Sequence, residues 1–146
     1  MTEEWTRGDY TISTDRERLD IDVIHGFLTT SYWATGRSRE RVARSIERSL
    51  AFGLFQGHEQ VGFARVVTDY VVVAYLADVF VLDAHRGKGL GRWLVDVVTN
   101  HSDLQSVRRW ILGTRDAHDL YRQFGFTEPR PNIWMERFNP ESDRRI

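Results

Sequence analysis

The stretch YTIST (Tyr10–Thr14) alternates apolar and polar side chains, which predicts a short half-buried strand. DIDVIHGFLTTSYW then offers Asp20 as an N-cap, with Ile21, Ile24 and Leu28 at helical spacing. In SRERVARSIERSL, Val42, Ile46 and Leu50 recur four apart beneath a coat of arginines, the pattern of an amphipathic helix opened by Ser38. Three strand-like segments follow, AFGLFQ, QVGFARVVTD and VVVAYLADVFVL, and GHEQ (Gly57–Gln60) between the first two reads as a hairpin turn. The run Val71–Leu82 is almost continuously apolar, as in a strand buried on both faces. Leu90, Leu94, Val97 and Val98 line one side of the next helix, and RRWILGT predicts another strand. DAHDLYRQFGF puts Ala117, Leu120, Tyr121 and Phe124 on one helical face with Gly125 at the C′ stop, and NIWMERF predicts a last strand. The order β-α-α-β-β-β-α-β-α-β predicts an α/β fold, one mixed sheet with helices on both faces.

A length of 146 residues makes one domain, spanning 1–146, with a polar tail NPESDRRI expected to be loose from about residue 139. Hydrophobic residues at 41% suffice for a core, and 20 basic against 21 acidic residues argue against a nucleic-acid partner. The chain has no cysteine, which excludes disulfides, thiolate metal sites and cysteine nucleophiles. His25, His58, His85, His101 and His118 lie scattered without metal-ligand spacing, so no metal is expected. The longest apolar run, Tyr70–Ala77, is far shorter than the ~20 residues that span a bilayer, and the opening MTEEWTRGDY is unlike a signal peptide. No membrane partner and a cytoplasmic location are therefore expected.

The densest chemistry lies in HRGKGLGRWL, where glycines at 87, 89 and 91 and the cations Arg86 and Lys88 precede a predicted helix. A helix N-terminus carries about half a positive charge and unsatisfied N–H groups, and glycines before it let the backbone approach an anion closely. The other reading is a tight strand–helix turn with exposed cations. Nucleotide P-loops are excluded: Leu82 occupies the first glycine position and Gly89 the hydroxyl position. The dinucleotide fingerprint fails too, because its third glycine would fall on Arg92 or Leu94.

What remains is R-x-x-G-x-G from Arg86 through Gly89 to Gly91. It resembles the signature of the GNAT superfamily of N-acetyltransferases, and ADVFVLDAHRGKGLGRWL is similar to that family's strand, loop and helix. TRDAHDLYRQFGF resembles its second landmark, N-x-x-A-x-x-L-Y-x-x-x-G-F, with Thr114 in place of asparagine. The likeness runs from about Leu54 to Met135. It implies a GNAT fold with a central mixed sheet and about four helices. It also implies direct transfer of an acetyl group from acetyl-CoA to the primary amine of a small molecule.

By the same resemblance Arg86, Gly87, Lys88, Gly89, Leu90, Gly91 and Arg92 would hold the pyrophosphate of acetyl-CoA. Backbone N–H groups of Val79, Phe80 and Val81 would face the pantetheine and the thioester oxygen, with Thr114 a weaker contact to the arm. Tyr121 matches the motif tyrosine, a general acid for the departing sulfur that would also touch the coenzyme; the alternative is a core aromatic. Asp78 interrupts an apolar strand, either as general base or as the partner of an arginine or cap of a neighbouring loop, with bulk water or Asp69 in reserve as base. Tyr32 and Trp33 either wall the acceptor pocket or lid the sheet edge. Arg37, Arg39, Arg41, Arg44 and Arg48 form a basic face: either a solvated surface balanced by Glu40 and Glu47, or a site for an acidic acceptor or partner. A protein or peptide acceptor, a non-catalytic acyl-CoA sensor and a homodimer through sheet edges stay open.

Overall fold

In the computed structural model, which describes residues 1–142, a six-stranded sheet follows chain order from one edge to the other. The strands are β1 (Glu4–Arg7), β2 (Tyr10–Ser13), β3 (Leu50–Gln56), β4 (Glu59–Thr68), β5 (Val73–Val81) and β6 (Arg109–Ile111). Neighbours are antiparallel except β5 and β6, which are parallel. The expected mixed sheet is there.

Helices α1 (Ile21–Leu28) and α2 (Arg39–Glu47) connect β2 to β3. Asp20 Oδ1 accepts from the amides of Asp22 and Val23, and Ser38 Oγ from that of Arg41, so both helices start at the caps the sequence names. Ile24, Leu28, Val42 and Ile46 pack on one sheet face against Ala51, Phe63 and Phe80. Helix α3 (Leu90–Thr99) covers the other face, burying Leu90, Trp93, Leu94, Val97 and Val98 against Leu54, Val66 and Leu76. Helix α4 (His118–Arg122) is one short turn closed by Gly125 at φ +89°. There Phe126 N–H reaches Tyr121 O and Gly125 N–H reaches Arg122 O, the paired bonds of a Schellman stop.

Three elements differ from the pattern-based expectation. The EWTR strand β1 was hidden in an acidic, non-alternating opening; it pairs with β2 through a turn at Gly8, whose φ is +57°. NIWMERF is not a strand: Ile133, Trp134, Met135 and Phe138 are all exposed and make no sheet ladder. Its alternation is real, yet β6 offers only three ladder residues, too short an edge to capture it. The long apolar run is not a strand throughout. Asp69 Oδ1 accepts from the amides of Val71, Val72 and Val73, so β5 begins at Val73 after an Asx-type turn. Tyr75 on that strand is 43% exposed, so burial on both faces is incomplete.

Part of the tail expected to be loose is tied down. Ser142 Oγ accepts from Arg41 Nη2 at 3.0 Å, which ties the end of the described chain to α2. Residues 143–146 of that tail lie outside the described residues. Among the described residues, no helix is long and apolar enough to cross a membrane.

Candidate active site

Strands β5 and β6 touch only along Val73–Tyr75 and Arg109–Ile111, after which β5 continues alone and its outer edge is open. A β-bulge sits on that free half. Phe63 pairs with Phe80 and Arg65 with Ala77, leaving Ala64 opposite both Asp78 and Val79. Asp78 takes up the extra residue at φ +55°, a left-handed conformation that Asp tolerates better than most residues.

The bulge decides which amides are available. Leu82 N–H donates to Val61 O at 2.8 Å, which makes 61/82 and 63/80 the hydrogen-bonded pairs of the ladder. Phe80 therefore turns its backbone groups toward β4, and its ring stacks on Phe27 at 4.1 Å. The expectation that Phe80 joins the coenzyme-facing amides is corrected: it is spent on the sheet. Val79 and Val81 face the open edge, and the Val81 carbonyl there accepts from Arg86 Nε at 3.0 Å.

Beyond β5, Gly87 (φ +78°) and Gly89 (φ +75°) bend the chain through left-handed geometry into α3, with Gly89 as its N-cap. Gly91 is different: its φ is not positive, and a Cβ there would meet only Val81 Cγ2, at 3.9 Å. Neither conformation nor packing within the chain requires that glycine. What it leaves open is the space in front of the first-turn amides, where an anionic ligand would sit. Arg86 is committed to the loop, its guanidinium bridging Val81 O and Asp83 Oδ1 (2.9 Å), so it shapes the cradle. Lys88 Nζ lies 3.3 Å from Tyr10 Oη, which also bonds His85 Nδ1 at 2.9 Å; neither Tyr10 nor His85 stood out in the sequence. Arg92 meets Gln123 Oε1 just after α4, while the Leu90 side chain is buried in the core and offers only its backbone.

On the far side of the splay, a cavity of about 480 Å³ is lined by Tyr75, Gly113, Thr114, His118 and Tyr121 among others. Tyr121 is half-buried, its ring 5.9 Å from that of Phe126 and packed on the α3-side core. Burial, with a smaller contribution from Tyr32 and Asp116, pushes its phenol up to about 12. Thr114 Oγ1 accepts from Ala117 N at 3.1 Å, so the hydroxyl in the asparagine position holds the turn before α4.

The α1–α2 connection closes over this region. Tyr32 Oη accepts from Arg115 N–H at 2.9 Å, and the Arg115 guanidinium lies 3.9 Å over the Tyr32 ring. Trp33 packs edge-on against Tyr32 and donates its Nε1–H to Asp78 Oδ1 at 2.9 Å. Both aromatics are partly exposed, lid-like over the bulge rather than core.

Asp78 is 6% exposed, and it is the hub of this face. Arg65 Nε donates to Oδ2 at 2.9 Å and Arg37 Nη1 approaches both oxygens at 3.3 Å, beside the Trp33 indole. Of the two alternatives for Asp78, the arginine-paired carboxylate is the geometry present. Its lone pairs are engaged by three donors, which leaves little for a substrate proton. Asp69, the reserve base, lies at the distant β4–β5 turn. Hydrogen bonds from the amides of Val71, Val72 and Val73 hold its carboxyl below the usual range, which makes it a weaker base. Arg65 was missed from sequence, although a lone arginine in the apolar run QVGFARVV signals a buried partner as Asp78 does.

A family model described as an acetyltransferase (GNAT) domain matches residues 47–128, which include the bulge, the glycine loop and Tyr121. The chain belongs to the GNAT acetyltransferase family. A Gibberella zeae protein assigned as an acetyltransferase is 32% identical over 142 residues, covering 82% of this chain and 79% of that protein. The crystal structure of a GNAT-family protein from Xanthomonas campestris pv. campestris, also assigned as an acetyltransferase, superposes at a TM-score of 0.88. It is 47% identical and covers 92% of this chain and 96% of that one. A Clostridium acetobutylicum structure with acetyl-CoA, 13% identical at a TM-score of 0.65 over 94% of this chain and 96% of that one, shares the GNAT fold.

Proposed function

We propose that this GNAT protein transfers the acetyl group of acetyl-CoA directly to the primary amine of a small molecule. The observation that carries the reading is the coincidence of two structures at the C-terminal end of β5. One is an edge that frees Val79 and Val81 from the ladder; the other is a glycine cradle whose Gly91 answers to no internal need. The first-turn amides and Lys88 suit a diphosphate, and the open edge suits an amide-bearing arm laid alongside as an added strand.

On this reading the Val79 N–H is the fixed donor for charge developing on the thioester oxygen. Tyr121, protonated throughout the neutral range, donates its O–H toward the departing sulfur. An alkyl amine of pKa ~10.4 reaches the site mostly protonated at pH 7 and must lose that proton. His118 and Glu136, which line the same cavity as Tyr121, are the groups on hand to accept it; Glu128 there is held by Arg122. Asp78 positions Trp33, Arg37 and Arg65 around the acceptor. It is not the base.

The test is thiol release from acetyl-CoA with a panel of small primary amines and a short peptide, after calorimetry with coenzyme A. Binding together with amine-dependent thiol release supports the proposal. Binding without release to any amine overturns it in favour of a sensor, and release with the peptide alone moves the acceptor to proteins.

A further inference from the structure

A second cavity, of about 500 Å³, opens beside α2 and shares Arg37 and Arg65 with the Asp78 cluster. Its lining includes Arg37, Arg41, Arg44, Arg48 and Arg65, with Glu47 the one acid among the described lining residues. This concentration stands against a whole-chain net charge of −1. It is also divided in a telling way. Arg37 and Arg65 are largely buried, at 19% and 12% side-chain exposure, and are locked in place by Asp78. Arg44 and Arg48 are exposed residues of the lining and form no ion pair with any described residue. Among the described residues, Asp78 is the carboxylate held by Arg37 and Arg65, and Glu47 is the acid on the lining beside Arg44 and Arg48.

We infer that this cavity binds the anionic end of the acceptor, making the substrate an amine that also carries a carboxylate or a phosphate. The inference rests on the acetyltransfer reading above and names its substrate class. Continuity with the reacting centre supports it: Arg37 and Arg65, which line the cavity, grip Asp78, the neighbour in sequence of the Val79 amide. A cavity of this size suits a small molecule, and guanidinium groups pair with carboxylate or phosphate in the same two-pronged geometry. An anion seated here would direct its amine along the Trp33 side toward the open edge of β5. Phe138, Asn139 and Ser142 complete the described lining, with Ser142 held by Arg41 of α2.

Matched amines test this. 4-Aminobutyrate is compared with butylamine, and O-phosphoethanolamine with ethanolamine, in the thiol-release assay at low and high salt. Each anionic member is expected to show a kcat/KM at least roughly tenfold above its neutral match, shrinking with added salt. The preferred pair says whether carboxylate or phosphate is the natural group. Arg44→Gln/Arg48→Gln, two exposed changes that spare the fold, should raise KM for the anionic amines roughly tenfold, leaving butylamine and coenzyme A binding unchanged. Equal use of both members of each pair, or an unmoved KM in the double variant, overturns the inference while leaving acetyl transfer standing. Should no amine be acetylated, calorimetry of O-phosphoethanolamine and 4-aminobutyrate into the coenzyme A complex decides it. Binding that the double variant abolishes sustains the anion site, and its absence overturns it.

Discussion

Asp78→Asn separates positioning from proton transfer more sharply than any other change. The substitution keeps the shape and tolerates the left-handed φ of +55°, so it removes charge and little else. One amide oxygen still serves a donor, but the new NH2 points at an arginine that was itself donating. Breaking one side of a buried pair costs about 3–5 kcal/mol. Arg37 and Arg65 retain some contact with water, at 19% and 12% side-chain exposure, which favours the lower end, about 3 kcal/mol. Asp78→Ala loses the same pairing together with the short polar side chain that makes the left-handed region tolerable, so it should fall further. Set against a typical total of about 5–15 kcal/mol, both variants fold at room temperature but unfold in visibly less urea. Loosening the bulge displaces the Val79 amide, and kcat/KM should drop roughly 10- to 10²-fold. Its pH profile should keep the acid limb, because no titrating base has been removed. A urea midpoint almost unchanged, with the acid limb gone, would show that Asp78 takes the proton and that its arginines are incidental.

Gly91→Ala should leave the fold as stable as before or slightly more so, since its β-carbon meets only Val81 at 3.9 Å and alanine favours helix; calorimetry should show coenzyme A affinity reduced at least roughly tenfold. Tyr121→Phe should lower turnover about 10²-fold at saturating substrates without changing coenzyme A affinity. The same variant should also be less alkali-sensitive. A phenol raised from 10.0 to about 12 in the fold binds its proton more tightly there than when unfolded, so stability holds below pH 10 and is lost as pH climbs toward 12. Melting temperatures at pH 9 and pH 11 should therefore diverge more in the parent than in the variant. Asp69→Asn should remove an acid-sensitive element at the β4–β5 turn. A depressed carboxyl stabilises above its ordinary pKa of 3.8 and loses that contribution as pH falls, so the parent should lose stability between pH 5 and pH 3 more steeply than the variant.

Elements whose signals are local were legible in the sequence. Asp20 and Ser38 cap their helices because a short polar side chain before an apolar period needs only its own backbone to act. The glycines at 87 and 89 were legible for the same reason. Residues whose roles depend on distant partners were not. Arg65 and Asp78 lie thirteen residues apart in separate apolar runs, and each looks anomalous until the β4–β5 ladder brings them together. β1 exists only because β2 pairs with it; four residues with one apolar side chain carry no period of their own. NIWMERF erred the other way: an alternating pattern says that a segment could line a sheet, while the length of the neighbouring edge decides whether it does.

The elevated Tyr121 pKa bears on how the sulfur leaves. A free thiol has a pKa near ~8.5, so handing it a proton from a phenol at about 12 is uphill by about 3.5 units, or about 5 kcal/mol. An acid of that strength does not give up its proton ahead of the chemistry. It works as a fixed hydrogen-bond donor whose pull grows as negative charge gathers on sulfur, and the burial that raises its pKa also strengthens that bond by thinning the water around it. The proton that finally neutralises the thiolate comes more cheaply from the amine, whose nitrogen turns strongly acidic once acylated, or from water. Tyr121 therefore matters for where its O–H points. The packing of its ring on Phe126 and the α3-side core, which holds that direction, is as much a part of the chemistry as the hydroxyl.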